Sequence, residues 1–231
     1  MKDYLDLIKR KITGRMTSDE FIDYLRERGV RIGENVVFIY PKNTGIDVQA
    51  GFLISIGDNV TITPEVLILA HDFSYSVLND VYKIMPQNHR ETKIGNNVFI
   101  GMKAVILMGT EIGDNCIIGA GSVVSGKIPS GTVWAGNPAR QICTLEDYKK
   151  KREAHYHDGA VCLAKGIIER FHRKPTYKEM GAYIGLFAPR TEEYRKYFME
   201  ISRLPMSGEN VWNFEPQYED LDDFLKKNGL M

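Results

Sequence analysis

The sequence predicts a mainly-β chain: a parallel solenoid of hexapeptide repeats, with a small N-terminal helical cap and a C-terminal all-α region. Four observations carry this. Ile32, Phe38, Thr44, Ala50, Ile56, Ile62 and Ile68 recur at six-residue steps, and Ile94, Ile100, Ile106, Ile112, Ile118 and Val124 resume the row. Glycine usually follows a rung, as at Gly33, Gly45, Gly51, Gly57, Gly95, Gly101, Gly113 and Gly119. A mostly compact side chain stands four places after it, as at Val36, Val48, Val60, Val98, Ala104, Thr110, Cys116 and Ser122. Beyond Thr144 the pattern stops and helical spacing replaces it. A period of six belongs to neither a helix nor a flat strand, whose side chains repeat at about 3.6 and 2 residues.

At the N-terminal end Thr17-Ser18-Asp19-Glu20 reads as a capping box, and Phe21, Ile22 and Leu25 form an apolar stripe that stops at Gly29. Tyr4, Leu5, Ile8 and Ile12 suggest an earlier helix. This segment, 1–29, is expected to cover the open end of the solenoid, whose strand edges are otherwise unpaired.

Residues 30–143 form the column. Three hexapeptides make a coil of 18 residues, so Ile94-Gly-Asn-Asn97 and Ile112-Gly-Asp-Asn115, eighteen apart, should stack. Glycine and asparagine suit the bends through their tolerance of positive φ. From Ile68 to Ile94 the spacing is 26 residues, so the row slips out of phase. If Ile56 and Ile94 share a face, their 38 residues are one coil plus twenty extra, which leave the column as a loop within about 73–93. Loops of this length inside a compact fold are commonly functional. His71 stands immediately before it. The column should end near Gly136-Asn137-Pro138-Ala139-Arg140.

In 144–231 the rows Ala160-Leu163-Ala164-Ile167-Ile168-Phe171, Tyr194-Tyr197-Phe198-Ile201-Leu204 and Leu221-Phe224-Leu225 keep helical spacing, the second behind a Thr191 cap. They define a second, all-α unit.

Lys plus Arg equals Asp plus Glu at 30 each, so no basic field points to nucleic acid. The charged start Met1-Lys2-Asp3 lacks a signal-peptide core, and no apolar run approaches membrane-spanning length. Three cysteines without a Cys-x-x-Cys pair suit a reduced, cytoplasmic setting; Cys116, at an inward position, reads as core filler.

Ile56-Gly-Asp-Asn-Val-Thr-Ile62, Ile68-Leu-Ala-His-Asp72, Ile94-Gly-Asn-Asn-Val-Phe-Ile-Gly101, Ile118-Gly-Ala-Gly-Ser-Val-Val124 and Ala135-Gly-Asn-Pro-Ala-Arg140 together resemble the hexapeptide-repeat acyltransferases. The branch resembled is that of the maltose and galactoside O-acetyltransferases and their capsular-polysaccharide relatives, over about residues 32–142. The resemblance implies a left-handed parallel β-helix, acetyl-CoA as acyl donor, no metal, and a homotrimer with sites between subunits. The acceptor would be a small molecule or glycan.

By that resemblance His71 is the general base, a role suited to a group titrating near neutrality. The Met102 backbone N–H is the oxyanion donor, or else an ordinary bend residue. Phe99 replaces a common tryptophan and so lacks its N–H. Ala120, Ser125, Lys127 and Arg140 are candidates for coenzyme A contacts, Lys127 displaced by one place from the usual pattern. Asn43 and Asp47 are candidates for the acceptor, or for bend hydrogen bonds. His89 either reaches a neighbouring subunit's site or is an exposed loop residue. Asp72 could orient His71, although adjacent side chains on extended backbone diverge. Against the O-acetyltransferase stand a sugar-nucleotide N-acyltransferase and a trimeric, non-enzymatic scaffold. A zinc enzyme on this column would need three histidines, and the column has two, His71 and His89.

Overall fold

The computed structural model describes residues 16–201 and 215–231. The expected Tyr4–Ile12 helix and the Leu204 end of the second helical row lie outside them. The chain divides into two compact units between Tyr148 and Lys149.

The first unit is a parallel β-helix of three sheets. Sheet 1 stacks β1 (Arg31–Ile32), β4 (Ile54–Ile56), β9 (Thr92–Ile94), β12 (Glu111–Ile112) and β15 (Lys127–Ile128). Sheet 2 runs from β2 (Val37–Phe38) through β5 (Thr61–Ile62), β10 (Phe99–Ile100) and β13 (Ile117–Ile118) to β16 (Thr132–Gly136). Sheet 3 holds β3 (Gly45–Ile46), β6 (Leu67–Ile68), β11 (Val105–Ile106) and β14 (Val123–Val124). In each two-residue strand the second residue points inward. Ile62, Ile100 and Ile118 stack directly, as do Ile68, Ile106 and Val124, and all six are fully buried. Val60, Val98, Ala104, Thr110, Cys116 and Ser122 fill the corners, each at most 2 % exposed.

Two expectations need correction. Thr44 and Ala50 are not rungs, because Ile46 is the residue that stacks on Ile68. Ile32 pairs with Ile56, so the first coil is 24 residues long, and the surplus winds into 3-10 turns at Pro41–Asn43 and Val48–Leu53. Pro41 has no N–H and fixed φ, so it cannot extend a strand in six-residue phase. The glycines after the rungs do not serve positive φ. Asn35, Asn59, Asn97 and Asn115 supply the left-handed bends, at φ 54 to 58°. Gly57 is there for closeness: a β-carbon would lie 2.8 Å from the Gly95 carbonyl carbon in the next coil. The bends are further tied by an amide–carboxylate ladder in which Asp58 N–H donates to Asn96 Oδ1 (2.8 Å), Asn96 N–H to Asp114 Oδ1 (2.6 Å) and Asp114 N–H to Ser130 Oγ (2.9 Å).

Both ends are managed. Helix α1 (Ser18–Arg26) has the expected capping box and packs Phe21 edge-on against Phe38, ring centroids 5.0 Å apart. Its Ser18 hydroxyl accepts the Phe38 N–H, and Arg26 donates to the Ile32 and Gly33 carbonyls, satisfying edge groups that no further coil reaches. At the other end β16 turns back as an antiparallel hairpin with β17 (Ala139–Thr144).

The interruption is as the phase slip implied: Ile56 stacks on Ile94. The projecting segment runs over 71–91, since Thr92 and Lys93 already belong to β9. It is a small arm in which β7 (His71–Asp72) pairs antiparallel with β8 (Asn88–His89) around a helix, α2 (Tyr75–Tyr82), that buries none of its residues.

Helix α3 (Leu145–Ala154) crosses the unit boundary. The second unit holds α4 (Tyr156–Phe171), α5 (Tyr177–Met180), a 3-10 segment (Gly181–Leu186), α6 (Glu192–Ile201) and α7 (Leu221–Lys227). Its core gathers Ala160, Ala164, Met180, Ile184, Phe187, Phe198, Leu221, Phe224 and Leu225. Among the described residues no helix is long and apolar enough to cross a membrane.

Candidate active site

His71 opens the arm where a coil leaves sheet 3, and the lengthened first coil lies directly against it. In that coil Asp47, one residue after Ile46, caps the turn Val48–Leu53 by accepting the Ala50 N–H at 3.4 Å through Oδ1. Its Oδ2 accepts the Ala70 N–H at 3.0 Å and is in a short hydrogen bond with His71 Nδ1. The Asp47 side chain is 3 % exposed and that of His71 13 %. A carboxylate held by two backbone donors and an imidazole is a fixed, charge-assisted pair. With Nδ1 engaged, Nε2 is the second nitrogen of the ring.

Asp47 is therefore the partner of the histidine and not a free acceptor ligand; both oxygens are taken inside the protein. Asp72 does not orient the ring. Its Oδ1 accepts the Ser74 hydroxyl at 2.6 Å and the Ser74 N–H at 2.9 Å, and the hydroxyl bond foremost lowers its pKa below the ordinary carboxyl value. His89 lies across the hairpin in the same chain, stacked on His71 with centroids 5.6 Å apart and planes 20° apart. Phe73 meets the His71 ring edge-on at 4.7 Å. The His89 contact was not readable from the sequence, because the hairpin register inside the arm sets it. Asp47 did leave a signal: Ile46 sits two places out of phase, which brings Asp47 against the end of β6.

The other candidates fall on different edges of the column. Met102 lies at the bend from sheet 2 to sheet 3. Its carbonyl accepts the Gly121 N–H (2.8 Å), and its own N–H makes no hydrogen bond among the described residues. Ala120 is exposed one coil further along that edge, and exposed Asn43 lies on it in the first coil. Ser125 is exposed on the edge from sheet 3 to sheet 1, the edge that carries His71. Lys127, at the start of β15, pairs with Glu111 at 3.4 Å, and Arg140 on β17 donates to the Ala139 carbonyl at 2.9 Å. His71 and Met102 thus occupy separate edges of one chain.

A parallel β-helix of hexapeptides bearing a buried carboxylate–histidine pair at the root of an inserted arm is the class this structure defines. A family model described as bacterial transferase hexapeptide (six repeats) matches residues 91–126. Protein CapG of Staphylococcus aureus is 36% identical over 150 residues, 65% of this chain and 81% of CapG. Galactoside O-acetyltransferase of Escherichia coli (strain K12) is 36% identical over 128 residues, 55% of this chain; the match spans 58% of that protein's length. Among solved structures, a maltose O-acetyltransferase from Clostridium difficile 630 is 31% identical, covering 62% of this chain and 84% of the other at a TM-score of 0.40. The chain belongs to the hexapeptide-repeat transferases, and the left-handed winding expected of its column goes with that membership.

Proposed function

We propose that this chain transfers the acetyl group of acetyl-CoA to a hydroxyl of a sugar or polysaccharide precursor, with His71 as general base. The single observation that carries this is the Asp47–His71 pair, which holds the imidazole by Nδ1 and leaves Nε2 for an acceptor hydroxyl. The acceptor oxygen attacks the thioester carbonyl carbon while Nε2 takes its proton. The buried Asp47 carboxylate stabilises the imidazolium that forms. The oxyanion is met by a backbone N–H, for which Met102 is the candidate. Collapse breaks the carbon–sulfur bond, and the proton passes from Nε2 to the departing thiolate, giving free coenzyme A and the acetyl ester. Ala120, Ser125, Lys127 and Arg140 are proposed along the coenzyme A path.

Two copies are needed to close such a site, since His71 and Met102 lie on separate edges. The outward residues support a trimer. Sheet 1 presents Arg31, Ser55, Lys93, Glu111 and Lys127, whereas sheet 2 presents Val37, Phe99 and Ile117 and sheet 3 presents Gly45, Leu67, Val105 and Val123. Two apolar faces and one charged face suit a column flanked by two others. The O-acetyltransferase of Escherichia coli named above supports the reading.

The test is thiol release from acetyl-CoA with a panel of sugars, nucleotide-sugars and amines, in the wild type and His71→Ala. Turnover with sugars, abolished in the variant, is expected. Turnover only with amines selects N-acylation. No turnover with any acceptor leaves a scaffold, and equal turnover in His71→Ala removes the histidine from the chemistry.

A further inference from the structure

The helical unit contains a cavity of about 820 Å³ lined by none of the site residues described above. Two tyrosines line it beside Leu186 and Phe198. Tyr156 of α4 and Tyr183 of the 3-10 segment have ring centroids 5.2 Å apart and planes tilted by 37°, making a shallow aromatic notch. The notch is built by reciprocal fitting. Gly159 of α4 leaves room for Tyr183, whose Cζ would lie 3.1 Å from a β-carbon there. Gly185 of the 3-10 segment faces the Tyr156 hydroxyl, 3.4 Å from a β-carbon. The Tyr156 hydroxyl donates to the Ala182 carbonyl at 2.9 Å, which fixes that ring, and burial raises its pKa. Also lining it are Glu153, Asp158, Glu215 and the Gln217 carboxamide, together with Arg152 and His155.

We infer that this cavity is a glycan-binding subsite that takes a single pyranose ring of a longer acceptor. A pyranose has a C–H face that stacks on an aromatic ring and an edge of hydroxyls that donate hydrogen bonds. Paired aromatic rings beside carboxylate and amide oxygens match both. An acyl chain or other wholly apolar ligand would use only the aromatic rings and would offer no donors to the exposed carboxylate and amide oxygens.

The site is lined by residues of the second unit alone, so a binding test of it does not depend on acetyl transfer. Binding of maltotriose to the full-length protein is measured by saturation-transfer NMR and calorimetry, beside the apolar dye 8-anilinonaphthalene-1-sulfonate. Tyr183→Ala is expected to weaken maltotriose binding about tenfold, the loss of one aromatic stacking contact. Glu215→Ala, at an exposed side chain that leaves the core intact, should weaken it severalfold, and thermal melts establish that both variants are folded. Should Tyr183→Ala fail to fold, the Glu215→Ala result decides alone. Dye binding without maltotriose binding, or maltotriose affinity unchanged in the folded variants, would overturn the assignment. A protein that binds maltotriose but releases no thiol would sink the proposed reaction and leave this site standing.

Discussion

Asp47→Asn tests the pair on which the proposed chemistry rests. In the native protein three donors converge on the carboxylate: His71 Nδ1 and the Ala70 N–H on Oδ2, and the Ala50 N–H on Oδ1. An amide keeps the volume but has one acceptor oxygen. With that oxygen toward His71 and Ala70, the geometry survives, the charge is lost, and the new NH2 meets the Ala50 N–H. Turned the other way, the NH2 faces Nδ1 and forces the opposite tautomer, which puts a proton on Nε2 and disables it as a base. Nearly complete burial of both side chains keeps solvent screening low. A unit charge pair on the order of 4 Å apart is worth about 4 kcal/mol at an effective dielectric of about 20. A hydrogen bond to a charged group contributes roughly 1.5–3 kcal/mol. At about 1.4 kcal/mol per tenfold, these bracket a loss of about 10- to 1000-fold in kcat/KM, and about 100-fold is expected. The assay is thiol release at saturating acetyl-CoA with the best sugar of the panel, alongside Asp72→Asn, which should stay near the wild type because Ser74 takes its oxygen. A rate for Asp47→Asn within threefold of the wild type would refute the role given to the pair.

The coil geometry and the second unit make further predictions. Gly57→Ala places its β-carbon 2.8 Å from the Gly95 backbone and should destabilise the column by about 1–3 kcal/mol in urea unfolding. Gly126→Ala, at φ +76° with open space around it, should cost only the backbone strain of roughly 1 kcal/mol; equal costs would contradict the close-packing account. Glu179 is held at about 2, below its ordinary 4.5, first by the Arg173 side chain and then by Thr176. Its stabilising contribution is therefore complete above pH 4.5 and is lost as pH falls toward 2. Glu179→Gln should flatten the acid slope of the second unit's stability, followed by circular dichroism; an unchanged slope would show the pair to be inert. Wild-type protein should sediment as a trimer, and Phe99→Lys, which puts a charge on an apolar outer face, should shift it toward monomer; a monomeric wild type would remove the two-copy site.

How much was legible depended on which contacts are periodic. The rungs from Ile94 to Val124 and the stacking of Ile56 on Ile94 followed from counting, because each coil repeats the environment of the one before. The first coil did not, since Pro41 and the Asp47-capped turn add six residues that masquerade as one more hexapeptide with Thr44 and Ala50 in phase. That miscount hid the partner of His71. Asp47 was a candidate ligand and Asp72 a candidate orienter, and the stacking of Ile46 on Ile68 puts Asp47 on His71 while Asp72 turns to Ser74. His89 was separable from His71 in sequence by 17 intervening residues, and the β7–β8 pairing closes that gap.

By itself the sequence determined the column: buried aliphatics every six residues, asparagines able to hold left-handed bends, and a break after His71 that no regular coil could absorb. Tertiary structure alone decided the site. Hydrogen bonds between Asp47, Ala70 and His71 link residues 23 and 24 apart, and the arm's register stacks His89 on the same ring. The physical reason is that a repeat encodes each contact many times over, whereas a site is made of contacts that occur once, where the repeat fails.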